Sequence, residues 1–80
     1  MSSTVLLGKK LVSVMSPSVQ KVYSTLESAD KLYVGDIEAK TNYSARTVRQ
    51  ALRQLLNARL ITQIPDMYDM RRHFYSVTHN

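Results

Sequence analysis

Four side chains capable of directional polar contact recur along one stretch of this chain. Arg46, Arg49, Gln50 and Arg53 stand at i, i+3, i+4 and i+7. At about 100° per residue, that spacing gathers them on one side of a helix, while Val48, Ala51, Leu52 and Leu55 repeat the interval on the opposite side. A guanidinium is a planar fork of donors, and an amide sets a donor beside an acceptor. Such a row suits phosphate oxygens and the edges of stacked bases. A solvated cationic face is the bland meaning of the same row, but ordinary faces mix signs. Here no Asp or Glu lies between Glu38 and Asp66.

The row divides by depth. In a major groove the N-terminal half of a reading helix goes deepest, which makes Arg46, Arg49 and Gln50 the leading base-edge candidates, with Arg53 behind them. Ser44 suits the N-cap position, and Ser44 and Thr47 offer hydroxyls or amides to phosphate. Lys40, Arg71 and Arg72 are candidate phosphate contacts from neighbouring segments. His73 reads as an ordinary strand residue, and with His79 it has no suitably spaced carboxylate, so no metal-ligand pattern arises. There is no Gly-rich phosphate loop, no nucleophile beside a base and no identifiable carboxylate pair. The expectation is a protein that is not an enzyme and uses no cofactor.

Composition is consistent with this. Apolar residues at 44% and charged residues at 21% mark a globular chain, and 80 residues make one small domain with a modest core. A net charge of +5 favours a polyanionic partner, nucleic acid before membrane. No apolar run approaches the roughly 20 residues of a membrane span, and nothing at the N-terminus reads as a signal peptide. The chain has no cysteine, which excludes disulfides and thiol chemistry and fits a cytoplasmic setting.

The elements that must hold the row follow from local signals. Ser16-Pro17 starts a helix, with Ser16 as cap and Pro17 in the first position, and Val19, Val22, Tyr23 and Leu26 carry it to about Ser28. Leu32-Tyr33-Val34 is β-prone and long enough only for one rung beside a hairpin. Gly35 to Thr41 reads as a short helix, with Ile37 inward and Asp36 and Glu38 in its first turn. Asn42 can end it in the left-handed conformation, and Tyr43 drops a ring toward the core before Ser44 restarts the chain as helix over 44–57. Helix, short turn, helix is a helix-turn-helix pattern. Leu60 to Ile64 then reads as a strand, Pro65-Asp66 turns the chain, Met67 to Met70 is the loop tip, and Arg71 to Thr78 is a second strand. Within it His73, Tyr75 and Val77 alternate with Arg72, Phe74 and Ser76.

Residues 16–78 resemble a winged helix-turn-helix DNA-binding domain of small bacterial and archaeal transcriptional regulators. The segments that carry the likeness are Val34 to Thr41, Ser44 to Leu52, Arg59-Leu60-Ile61 and Arg71 to Thr78. MarR-like, ArsR-like and other regulators share these features. The resemblance implies an α+β, mostly helical fold: a three-helix core with a C-terminal β-hairpin wing. It implies double-stranded DNA as partner, helix 44–57 as reader and hairpin 60–78 as wing. Two departures stand out. Arg59 occupies a place where many members have glycine, so the turn falls to Asn57 or Ala58, or Arg59 is strained. The tip, Asp66 to Met70, is not basic, which weakens a minor-groove role for it.

Domain organisation is expected to be an N-terminal extension over 1–15, then the DNA-binding domain over 16–80. Val5, Leu6, Leu7, Leu11, Val12, Val14 and Met15 are more apolar than a solvated tail needs, which suggests a dimerisation segment with helical or irregular structure. One reading helix spans few base pairs, and a homodimer is the usual remedy. No separate effector domain is expected within these 80 residues, and the sequence identifies no small-molecule effector. The alternatives are a winged-helix adaptor for protein partners, toward which the apolar tip and N-terminus point, and a non-specific nucleic-acid binder.

Overall fold

The computed structural model describes residues 12–69 and 71–78; most of the proposed N-terminal extension, Met70 and His79 lie outside them. Among the described residues three whole helices lie ahead of the hairpin: α1 over Pro17–Glu27, α2 over Val34–Thr41 and α3 over Ala45–Asn57. Two antiparallel strands follow, β1 over Ile61–Pro65 and β2 over His73–Val77. This is the three-helix core with a C-terminal hairpin, and the class is α+β, mostly α.

The core lies where the three apolar stripes meet. Val19, Val22, Tyr23 and Leu26 of α1 face Ile37 of α2 and Val48, Ala51, Leu52 and Leu55 of α3, and Ile61 of β1 closes one side. Leu26, Ile37, Leu52 and Leu55 are fully buried, so cutting any one to alanine should cost about 2–5 kcal/mol. Val12 is only 7% exposed and Met15 packs against the same cluster. Thus the near end of the proposed extension contributes to the body's own core, while Val14 points outward.

Helix ends account for several details. Ser16 takes the extended N-cap conformation before Pro17, but its hydroxyl makes no capping bond and instead meets the Ser18 hydroxyl at 3.3 Å. Helix α2 begins one residue earlier than expected, at Val34, so Asp36 is its only first-turn acid and Glu38 lies beyond. The Asp36 carboxylate accepts the Tyr33 amide at 3.1 Å. Asn42 is left-handed, with φ 63°, as the turn requires. Thr41 is buried there: its hydroxyl donates to the Ile37 carbonyl at 2.7 Å and accepts the Tyr43 amide at 3.3 Å. At the end of α3, Arg59 is left-handed with φ 60°. Its amide donates to the Leu56 carbonyl and that of Leu60 to Leu55, both at 3.0 Å. That pair of bonds is a Schellman motif with arginine where glycine is usual.

The hairpin is shifted slightly from expectation. Strand β1 runs one residue later and includes Pro65, which pairs with His73 on the last rung of an edge strand, where the missing amide matters least. Strand β2 starts after Arg71 and Arg72 and ends at Val77. Leu32 makes the anticipated single rung with Tyr75: its amide donates at 3.0 Å and its carbonyl accepts at 2.8 Å. Every residue of β2 is half-buried. Tyr75 and Val77 pack on the core, whereas Phe74, on the other face, is covered by the Tyr33 ring at 4.2 Å and by Lys31.

Candidate nucleic-acid interface

Helix α3 presents its polar row as the sequence implies. Arg46, Arg49, Gln50 and Arg53 are exposed, and Val48, Ala51, Leu52 and Leu55 are buried behind them. The helix start is fixed by Ser44, whose hydroxyl accepts the Thr47 amide at 3.2 Å and bonds the Thr47 hydroxyl at 3.1 Å. The two hydroxyls therefore serve the cap in the free protein. Among the described residues one ion pair exists, Arg71 to Asp69 at 3.4 Å, and the Arg71 side chain is 92% exposed. A pair so exposed restrains the charge little. The guanidiniums of α3 and the Lys40 ammonium have no carboxylate within pairing distance among those residues, so their field is uncompensated at close range.

The structure brings some candidates together and separates others. Arg49 of α3 shares an open cleft of about 290 Å³ with Arg71, Arg72 and His73 at the loop end of the wing, lined also by Tyr33 and Tyr75. Arg53 lines the adjoining groove with Gln63 and Tyr75. Arg46 and Gln50 line neither and stand on the open side of the helix. Helix α3 and the wing thus converge on adjoining clefts lined by Arg49, Arg53, Arg71 and Arg72.

Three participants were not legible in the sequence. Tyr33 stacks on Phe74 and receives the Arg72 guanidinium over its ring, 3.5 Å from the centroid. Its hydroxyl donates to Asp66, which is buried although it belongs to the loop. That bond, followed by the amide of Tyr68, holds the Asp66 carboxyl below the usual carboxylate range and, in turn, pushes the Tyr33 hydroxyl up. Gln63 and Tyr75, paired across the strands, are the others. The only local hint was the β-prone Leu32-Tyr33-Val34 run, which placed Tyr33 beside the wing without saying what it touches. At the tip, Met67 and Tyr68 are exposed, and Tyr68 is wholly so.

No protein-family profile and no curated protein matches this sequence. Solved structures do match. BpsR of Bordetella bronchiseptica, whose DNA binding is regulated by 6-hydroxynicotinic acid, is 21% identical over 82% of this chain and 50% of its own, with a TM-score of 0.75. A MarR variant from E. coli complexed with operator DNA is 15% identical over 90% and 53%, TM-score 0.75. A MepR variant from S. aureus bound to an oligodeoxyribonucleotide is 22% identical over 94% and 60%, TM-score 0.76. The fold is a winged helix-turn-helix. In its terms α2 and α3 are the helix-turn-helix pair, α3 occupies the place of the recognition helix, and β1 and β2 form the wing. The chain spans only 50–60% of the length of these structures.

Proposed function

We propose that this chain is a sequence-specific double-stranded DNA-binding protein that regulates transcription, with α3 in the major groove and the wing on the flanking backbone. The observation that carries the reading is the exposed row Arg46, Arg49, Gln50, Arg53, free of carboxylate partners among the described residues and joined at Arg49 to Arg71 and Arg72 through one cleft. Winged-helix proteins of matching fold that were captured with operator DNA or an oligodeoxyribonucleotide support it. In this reading Arg46, Arg49 and Gln50 meet base edges. Arg53 follows them as a base-edge contact, and Lys40, Arg71, Arg72 and the Ser44–Thr47 helix start meet phosphate. The protein acts as a homodimer, because one helix contacts too few base pairs for a useful specificity ratio.

Selection from a random pool of duplexes tests the reading. Enrichment of a palindromic site with half-sites about one helical turn apart is the expected result. Recovery of random sequence alone, with strong salt dependence, would replace it by non-specific binding, and no retention at all by an adaptor role.

A further inference from the structure

Resting on that DNA-binding reading, the geometry points to Tyr33 as the residue that presents Arg72 to a DNA phosphate. Tyr33 is the N-cap of α2 and so belongs to the body, not the wing. Its ring meets Phe74 at 4.2 Å with an interplanar angle of 26° and holds the Arg72 carbon 3.5 Å from its centroid. A guanidinium that close must lie flat, since an edge-on group would drive a nitrogen into the ring. Flat stacking uses the π face and leaves the in-plane N–H donors free. Arg72 has no carboxylate within ion-pair distance among the described residues, and it lines the cleft that holds Arg49.

The stack is itself held in place. The Tyr33 hydroxyl donates to one Asp66 oxygen while the other accepts the Tyr68 amide at 2.9 Å. The Asp66 amide donates to the Arg72 carbonyl at 3.1 Å, so the same residue ties the ring to both the start and the end of the wing loop. Lys31 lies 4.5 Å over Phe74 and covers the far end of the aromatic pair. An exposed arginine ordinarily gives up rotamer freedom when it binds phosphate. Here that freedom is already restricted before DNA arrives, which is preorganisation. Tyr33 is a positioning residue, and its contribution acts through Arg72.

A double-mutant cycle on the full chain tests this, using a fluorescently labelled random-sequence duplex of about two helical turns and thermal unfolding of each variant as control. Tyr33→Leu should weaken binding about two- to five-fold, the size of an exposed cation–π contact. The Tyr33→Leu/Arg72→Ala double variant should bind no worse than Arg72→Ala alone. Tyr33→Phe keeps the ring and loses the Asp66 bond, so it should unfold at lower temperature while binding within about two-fold of wild type. Arg72→Lys keeps the charge but cannot lie flat, and should lose as much as Tyr33→Leu; it carries the test if Tyr33→Leu does not fold. Wild-type affinity in Tyr33→Leu or Arg72→Lys, or simple additivity in the cycle, overturns the proposal. Equal losses in Tyr33→Phe and Tyr33→Leu place the effect in wing closure and overturn it too. If the wild type binds no duplex, the functional reading falls and takes this one with it.

Discussion

Arg49 sits where two demands meet. It is exposed on the middle turn of α3 between Arg46 and Arg53, yet it also lines the cleft that leads to the wing. Its five donors can form two parallel bonds to the O6 and N7 acceptors of guanine, or grip a phosphate, and the two uses leave different traces. As a base reader, Arg49→Ala should cost about 1–3 kcal/mol on the preferred site, flatten preference at one position per half-site and weaken random DNA less. Arg49→Lys keeps a charge without the fork, so it should retain random affinity and lose much of the discrimination. Competition binding with preferred and scrambled duplexes measures both. Equal losses on the two duplexes would assign Arg49 to the backbone and leave base reading to Arg46 and Gln50. The exposure of these residues was readable from spacing alone, because the 3.6-residue period that buries Val48 and Leu52 sets the opposite face outward. Which of them faces the wing was not readable, since that depends on where β2 returns.

At the scale of the elements, the two departures of this chain lie at the ends of the wing. Arg59 holds φ 60°, a conformation that costs an L-residue about 1–2 kcal/mol, and its side chain is exposed. Arg59→Gly should relieve that strain, less the extra entropy glycine holds in the unfolded chain, for a net gain of about 0.5–1 kcal/mol. Thermal unfolding should show Tm rising by roughly 2–8 °C; a fall would mean that the arginine side chain makes a stabilising contact. At the other end, Asp66 closes the loop. Its carboxyl is depressed in the folded protein by the Tyr33 hydroxyl first and the Tyr68 amide second. A depressed folded value contributes stability that is present above the unfolded carboxylate range and is lost as pH falls through the folded one. The Tyr33 hydroxyl is raised, chiefly by the same bond, so its share is present below the ordinary tyrosine range and lost as pH rises through the folded value. Asp66→Asn should therefore lower Tm at neutral pH and shrink the acid-side fall, as measured by melting between pH 3 and 7. An unchanged acid limb would show that other carboxylates control it. Helix spans and the Leu32 rung could be read locally, because caps and periodicity are local signals. The Tyr33–Asp66 bond joins residues 33 apart, with no repeat that would announce it, and a loop tip that shows Met67 and Tyr68 to solvent hides a buried acid.

At the scale of the whole molecule, the question is what the N-terminal residues do for a body that already has a core. Val12 is buried and Met15 packs against the cluster formed by α1, α2 and α3, so these two stabilise the single chain whatever its oligomeric state. Val5, Leu6, Leu7 and Leu11 precede them and raise the apolar content of the segment well beyond that need. Two truncations separate the roles. Deleting residues 1–15 removes a buried valine and a half-buried methionine, a loss of about 2 kcal/mol by area, large against the roughly 5–15 kcal/mol that holds a small domain together. It should lower Tm by about 10 °C. Deleting residues 1–11 spares Val12 and Met15 and should leave the unfolding of the monomer's core nearly intact while abolishing the dimer. Sedimentation equilibrium at micromolar concentration reads this directly, and duplex binding follows from it. A monomer made this way keeps one α3 and one wing, so it should hold random DNA nearly as well per chain and lose most of its preference for a palindromic site, because the second half-site no longer adds to the first. A full-length chain that sediments as a monomer, or a 1–11 deletion that remains dimeric, would place the partner surface elsewhere, and the exposed Met67 and Tyr68 at the wing tip would be the next face to test.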